Sequence, residues 1–376
     1  MSSTPVRPSR DGIVPWPEDV AARYVATGYW RGQPLGTELA AAADARPDAV
    51  AIVDGELRLS YRELMARADG AALRLRELGL RPDDRILVQL PNGWEFAVLT
   101  LACLRLGVLA VMALPAHRGH ELSYLAAHAE AVAIAVPDSD RGFDHQALAH
   151  QIAADTATLT HVLVAGDGAP DAVRAGSVDL RALCRPAEDP ALARRELDRQ
   201  APSSRAVALF LLSGGTTGLP KLIARTHDDY AYNIRRVAEL SGFGPDTVYL
   251  AALPLGHNFP LGNPGLLGTL LVGGRVVIAP SPAPEKAFPL IERAGVTATA
   301  LVPAITQRWL EYRESDTRHD LSSLRLLQVG GARLADHLAA QVRPVLGCTL
   351  QQGYGMAEGL ICLTRMDDPD EVICHT

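Results

Sequence analysis

LFLLSGGTTGLPKLIARTHDDY, residues 209–230, is the stretch on which the fold turns. An apolar run from Val207 to Leu212 has strand character and enters a loop of Ser, Gly and Thr that ends in Pro220-Lys221. Gly214, Gly215 and Gly218 permit backbone conformations and close approaches that a Cβ resists. The hydroxyls of Ser213, Thr216 and Thr217, with successive backbone N–H groups, make a concavity suited to anions. Lys221 adds a compact positive charge. A di- or triphosphate suits this donor set. The Walker loop has Gly immediately before its Lys and Ser or Thr immediately after. Here Pro220 precedes Lys221, Leu222 follows, and no helix signal starts at the lysine. The loop also lacks a G-x-G-x-x-G fingerprint. A P-loop NTPase is disfavoured, and the alternative is a connection that is merely Gly- and Thr-rich. Against that stands the functional bias of long ordered loops.

Outward from the loop, strand and helix patterns alternate. SYRELMARADGAALRLRELGL reads as a helix: Ser60 and Glu63 form a capping box, and Leu64, Ala68, Ala71, Leu75 and Leu78 recur at helical spacing. Gly79 ends it. DRILVQLPNG is a strand and turn, WEFAVLTLACLRLGV a helix, LAVMALP a strand. After the loop, DDYAYNIRRVAELSGF, TVYLAALPL, RVVIAPS, PEKAFPLIERAGVTATALVPA, LRLLQVGGA, LADHLAAQVRPVLG and TLQQGYGMAEG continue the alternation. This predicts an α/β fold with mostly parallel sheets and crossover helices. At roughly 100–200 residues per domain, the 376 residues make two or three units. The expected divisions are an extended Pro- and Ser-rich arm (1–20), a first α/β subdomain (21–202) and a second (203–376) carrying the motifs. The stretch 138–202 is weaker: HVLVAGDG is strand-like, but RPAEDPALARRELDRQAPSS is charged and ends in turn formers, which places the boundary near Pro202. No fixed-period repeat is evident.

Net charge is −7, which argues against a broad nucleic-acid surface. The five cysteines, Cys103, Cys184, Cys348, Cys362 and Cys374, are scattered and lack C-x-x-C spacing. That excludes a zinc site or disulfide framework as the working expectation and fits a reducing compartment. The N-terminus has no apolar signal core, and no run of 18 apolar residues marks a membrane span. A cytoplasmic protein is expected, with no nucleic-acid or membrane partner.

SGGTTGLPK resembles the signature loop of the adenylate-forming enzymes: acyl- and aryl-CoA ligases, adenylation domains of non-ribosomal peptide synthetases, and luciferases. GYGMAEG, residues 353–359, is similar to that family's later motif, and VGGARL, residues 329–334, to the segment between them. The three stand in family order. LFLLSGGTTGLPKLIARTHDDYAYN, HNFPLGNPGLLG and GCTLQQGYGMAEGL resemble the stand-alone aryl-acid AMP ligases, which activate 2,3-dihydroxybenzoate or salicylate for siderophore and peptide-antibiotic pathways. The likeness runs from about Trp16 to the end.

The resemblance implies two αβα-type subdomains and a reaction in which a carboxylate attacks the α-phosphate of ATP, giving an aryl adenylate and pyrophosphate. It places Thr216, Thr217, Gly218 and Lys221 on the β- and γ-phosphates, and Ser213, Gly214 and Gly215 in the same ATP-binding loop. Glu358 takes Mg²⁺, which prefers few carboxylates plus phosphate oxygens; its alternative is a helix N-terminal Glu favoured by the dipole. Gly330, Gly331 and Ala332 flank the adenine, with Gly353, Tyr354, Gly355, Met356 and Ala357 completing the nucleotide site. Tyr354 either stacks on the adenine or is a core aromatic. His257, Asn258, Phe259, Asn263, Val329, Gly330, Gly353 and Met356 are the expected aryl-acid contacts. His257 positions substrate and is not a general base, because an aryl carboxylate is already ionised at pH 7. His257, Lys221 and Glu358 carry the chemistry, with ATP and Mg²⁺ as cofactors.

Two pocket positions depart from the dihydroxybenzoate pattern. Asn263 stands where relatives often have Ser, and Gly353 where they have an aliphatic residue. These predict an acid larger or more polar than 2,3-dihydroxybenzoate: a methylated hydroxyanthranilate, 3-hydroxypicolinate, or a bicyclic acid. The acceptor implied is the thiol of an aryl or peptidyl carrier protein; an aryl-CoA ligase is the alternative, and a non-catalytic ligand-binding protein a second one, opposed by Thr216, Thr217, Lys221 and Glu358. Members of the family continue past this length into a small C-terminal lid domain carrying the lysine that contacts the reacting carboxylate. The chain is therefore expected to be a fragment with weak turnover.

Overall fold

The apolar run ahead of the loop is a strand, Val207–Leu212, and it does not lead into a helix. It turns back antiparallel to Leu222–Thr226, with Leu212 opposite Leu222. The computed structural model describes residues 12–166, 168–169, 172–213 and 218–376. Contacts divide the chain into two compact units. The first comprises residues up to Ala40 and Glu63–Tyr232, the second Ala41–Arg62 and Asn233–Thr376.

The first unit holds a seven-stranded sheet in the order Leu222–Thr226, Val207–Leu212, Leu109–Met112, Arg85–Val88, Ala133–Pro137, His161–Ala165, Val178–Asp179. Only the loop hairpin is antiparallel. From Arg85–Val88 the chain crosses to one neighbour, Leu109–Met112, and then to the other, Ala133–Pro137. This is doubly wound topology, in which ligands gather outside the carboxyl ends of strands where the order reverses. Leu87, Val111, Ile134 and Val164 pack against Leu122, Leu125 and Ile152. The intervening helix Trp94–Leu106 is apolar on nearly every side and buried from Glu95 onward, as a helix enclosed by core should be.

The sequence boundary at Pro202 does not hold, because Val207–Leu212 pairs with Leu109–Met112 of the first unit. The arm is also shorter than 1–20, since a helix begins at Glu18. The charged stretch before Pro202 contains a helix, Pro190–Arg199. The Asp189 carboxylate accepts from the Leu192 N–H at 2.9 Å, Pro190 fills the first turn, and Ala193 and Leu197 supply the buried stripe.

The second unit holds eight strands in the order Ile361–Leu363, Thr349–Gly355, Leu326–Gly330, Ala298–Leu301, Val248–Ala251, Arg275–Ile278, Val50–Asp54, Leu57–Ser60. Antiparallel pairs occur only at its two edges. The order again reverses, at Val248–Ala251, which is flanked by Arg275–Ile278 and Ala298–Leu301. Its core joins Leu250, Val277, Leu301, Leu327 and Val329 to Phe288, Trp309 and Val342. The early strand Val50–Asp54 is parallel to Arg275–Ile278, and the Tyr61 hydroxyl donates to the Gly274 carbonyl at 2.7 Å. Among the described residues no helix is long and apolar enough to cross a membrane.

In the first unit, the helix after the loop hairpin opens at His227, which is fully buried. The Leu35 N–H donates to its Nδ1 at 3.2 Å, so the ring is held neutral. Burial lowers its pKa from 6.5 to about 4. Above pH 6.5 both folded and unfolded chains carry neutral imidazole, and His227 adds no pH dependence. Between 6.5 and 4 the unfolded chain takes up a proton that the folded chain refuses, so stability falls with pH. The expected contribution is a loss of about 2 kcal/mol between pH 7 and 5. In chemical denaturation, His227→Asn, whose amide oxygen can still accept from Leu35, should lose markedly less over that interval. An unchanged pH slope would count against this assignment.

Candidate functional site

In the first unit the loop is closed at its base by its own termini. The Ser213 N–H donates to the Lys221 carbonyl at 3.1 Å, and the Lys221 N–H donates to Ser213 Oγ at 3.1 Å. A hairpin thus takes the place of the strand-to-helix turn of a Walker loop. Gly218 and Lys221 are exposed, and nothing lies within 4 Å of where a Gly218 Cβ would stand. Gly214, Gly215, Thr216 and Thr217 lie outside the described residues.

In the second unit the predicted aryl-acid residues lie on or just past three parallel strands, Val248–Ala251, Leu326–Gly330 and Thr349–Gly355. The chain leaving the first of these reaches His257, which precedes the short helix Asn258–Gly262. His257 is exposed; Asn258 and Phe259 are half-buried. Asn263 is buried and its amide is engaged within the protein. Its oxygen accepts from Asn233 Nδ2 at 2.7 Å, and its nitrogen donates to the Asn258 carbonyl at 3.2 Å. Asn263 therefore positions the Asn258 segment, and the pocket gains less polarity from it than the Ser-to-Asn change implies. Asn233 carries no signal of this role in the sequence, where it looks like any polar residue of an amphipathic helix.

The strands Leu326–Gly330 and Thr349–Gly355 run parallel with Gly330 opposite Gly353. Two adjoining glycines leave a flat stretch of backbone. A Cβ at Gly330 would lie 3.0 Å from the Gly353 carbonyl oxygen and 3.3 Å from the Phe259 ring. Val329 faces the other way, as strand alternation requires, and its side chain belongs to the core cluster. Of Val329, only backbone is left for a contact with the aryl acid.

Past Gly353 the chain forms a hairpin with Ile361–Leu363, Tyr354 opposite Cys362 and Gly353 opposite Leu363. Gln351 braces the base: its Nε2 donates to the Thr364 carbonyl at 2.9 Å and its Oε1 accepts from Ser241 Oγ at 2.8 Å. Tyr354 is 65% exposed, which excludes a core aromatic. Met356 and Glu358 are exposed and Ala357 half-buried near the tip, where the Met356 N–H donates to the Leu360 carbonyl at 2.9 Å. Glu358 lies in a turn and not at a helix N-terminus, which removes the dipole explanation. Gly331, Ala332, Tyr354, Gly355, Cys362 and Leu363 help line a cleft of about 640 Å³. Among the described residues no group of three or more His, Cys, Asp or Glu could hold a metal. A lone carboxylate fits an ion bound mainly by phosphate oxygens and does not fit a protein-built cage.

Gly330 and Gly353 thus lie side by side on a parallel pair, with an exposed tyrosine and an exposed glutamate in the adjoining edge hairpin. Comparisons with known proteins bear on the family. Residues 39–374 match the AMP-binding enzyme family. A 2-hydroxy-7-methoxy-5-methyl-1-naphthoate–CoA ligase of Streptomyces carzinostaticus is 60% identical over 378 residues, covering 100% of this chain and 67% of the relative. A salicylyl-CoA synthase / salicylate adenylyltransferase of a Streptomyces species is 59% identical, covering 98% of this chain and 66% of the relative. The apo structure of Mycobacterium smegmatis MbtA matches with a TM-score of 0.86 at 46% identity, over 96% of this chain and 64% of that one. The chain thus spans about two thirds of the length of these relatives. With nearly its whole length matched, the chain belongs to the AMP-binding enzyme family.

Proposed function

We propose that this chain binds ATP and an ortho-hydroxy aromatic carboxylic acid, and forms the aryl adenylate with release of pyrophosphate. The observation that carries this is the glycine floor of Gly330 and Gly353, with the Phe259 ring against it and the Asn258 helix alongside. A flat ring can lie on bare backbone where any Cβ would intrude. Asn258 can both donate to and accept from an ortho substituent. The acid arrives ionised, so its carboxylate attacks the α-phosphate without a base. His257, exposed at the start of the Asn258 helix, orients substrate. Lys221 supplies positive charge to the β- and γ-phosphates, which carry away the electrons of the broken P–O bond. Glu358 would hold Mg²⁺, which when bound offsets phosphate charge. Gly331, Ala332 and Tyr354 take the adenine.

Among the acids considered, the bicyclic class is favoured over the more polar monocycles, because the Asn263 amide is already engaged. The name of the 60%-identical relative points the same way. For the acceptor, the motifs imply a carrier-protein thiol. Coenzyme A is the second reading, favoured because the relatives at 60% and 59% identity are both named for it. Side-by-side thiol acceptor assays separate the two.

Incubation with ATP, Mg²⁺ and each candidate acid, followed by mass spectrometry, should reveal an aryl adenylate. Lys221→Ala should lower its yield by about 10²–10³-fold, as loss of one charge-stabilising donor does. Calorimetric affinity for the acid should stay within about twofold, because Lys221 touches only phosphate. No adenylate and no saturable binding of any acid would overturn the proposal.

A further inference from the structure

We infer that Leu363 sets the size limit of the aryl-acid site; this rests on the proposed aryl-acid function. Gly353 alone suggests a missing wall and an enlarged pocket. The structure supplies that wall from across the hairpin. Leu363 is the direct cross-strand partner of Gly353, and paired residues project from the same face of a sheet. A Cβ at Gly353 would stand only 2.9 Å from Leu363 Cδ2, so the leucine side chain lies over the space that the glycine vacates. The row across the sheet is Gly330, Gly353, Leu363. Its floor is covered at one end by the Phe259 ring and at the other by Leu363.

The two covers differ in freedom. Phe259 belongs to the helix Asn258–Gly262, whose next turn is buried. Leu363 is half-buried at the end of a three-residue edge strand and lines the open cleft. The contact over Gly353 is made by the far end of its side chain, which a χ rotation removes. On this inference a single ring leaves Leu363 where it stands. A second fused ring needs the Leu363 methyls to swing off Gly353. Leu363 is thus a specificity-determining residue for fused bicyclic against monocyclic acids, and Gly353 is the vacancy that lets it move.

The test is calorimetric binding of salicylate and of 2-hydroxy-1-naphthoate to the chain and three variants. Leu363→Ala should tighten the naphthoate relative to salicylate by at least about tenfold, the scale on which a few carbons discriminate in a pocket. Gly353→Ala should fill with its own methyl the space the second ring needs and weaken the naphthoate by a similar factor, leaving salicylate within about threefold. Gly353→Ala combined with Leu363→Ala should return the ratio toward that of the unsubstituted chain. Equal shifts for both acids in Leu363→Ala, or no shift, overturn the inference while leaving the aryl-acid function standing. If the unsubstituted chain binds neither acid, the function fails and the inference falls with it. Circular dichroism of each variant identifies any that does not fold, and Leu363→Met, which keeps the volume but adds flexibility, then serves in its place with the same expected direction as Leu363→Ala.

Discussion

Gly265→Ala is expected to cost about 4 kcal/mol or more in chemical denaturation, and to abolish aryl-acid binding. Gly265 has φ +52°, where a side chain costs about 1–2 kcal/mol. The greater cost is steric. A Cβ there would lie 1.9 Å from the Pro260 carbonyl oxygen and 2.3 Å from its carbon. No rotamer change relieves a clash with backbone, so the helix Asn258–Gly262 has to move. That helix carries Asn258 and Phe259, and stability and binding should fail together. Gly242→Ala is the control: its φ is +63° and nothing lies within 4 Å of its Cβ position. It should show the backbone strain alone. Equal losses in the two variants would mean that the Pro260 contact is unimportant.

Gly330→Val is expected to weaken aryl-acid binding by about 10- to 100-fold with a modest loss of stability. Its Cβ would already be tight against the Gly353 carbonyl and the Phe259 ring. The valine methyls then displace Phe259 from the floor, an overpacking cost of about 1–3 kcal/mol. The neighbouring Gly331 separates space from conformation. It has φ +83°, but its Cβ would meet only Val302 Cγ1, at 3.6 Å. Gly331→Ala should therefore strain the turn and leave the aryl floor open, with acid affinity changed by less than about threefold. Calorimetry on both variants decides this; a larger loss of acid affinity in Gly331→Ala would place the ring elsewhere.

Local features of this fold are legible in the sequence because local chemistry dictates them. The run Val207–Leu212 is recognisably a strand, Pro220 beside Lys221 excludes a Walker loop, and the helical spacing after Ser60 marks the helix Tyr61–Glu77. What is not legible depends on which strand lies beside which. Assigning Ala41–Arg62 to the second unit requires knowing that Val50–Asp54 seeks Arg275–Ile278, and no local signal encodes that. The same holds in the site. Gly353 is visible in the sequence as a missing side chain, but its replacement by Leu363 appears only once the hairpin register is known. The turn residues of GMAEG between two apolar segments are the one signal that points to that hairpin. Taking its motif whole hides that the Val329 side chain turns into the core, where strand alternation sends every second residue.

The early strand of the second unit also imposes an order on how the chain can assemble. Ile52 pairs with Val276, so it leaves the ribosome roughly 220 residues before its partner, a wait of about 10–45 s at ordinary rates of synthesis. Throughout that interval Val50–Asp54 has only Leu57–Ser60 beside it, and an isolated two-stranded hairpin is marginal in water. The whole first unit has meanwhile been made, since its residues end at Tyr232. It can close around a looped-out segment that belongs to neither of its sheet edges. Ala51, Ile52 and Val53, all buried in the finished fold, wait through the interval without their parallel partner strand.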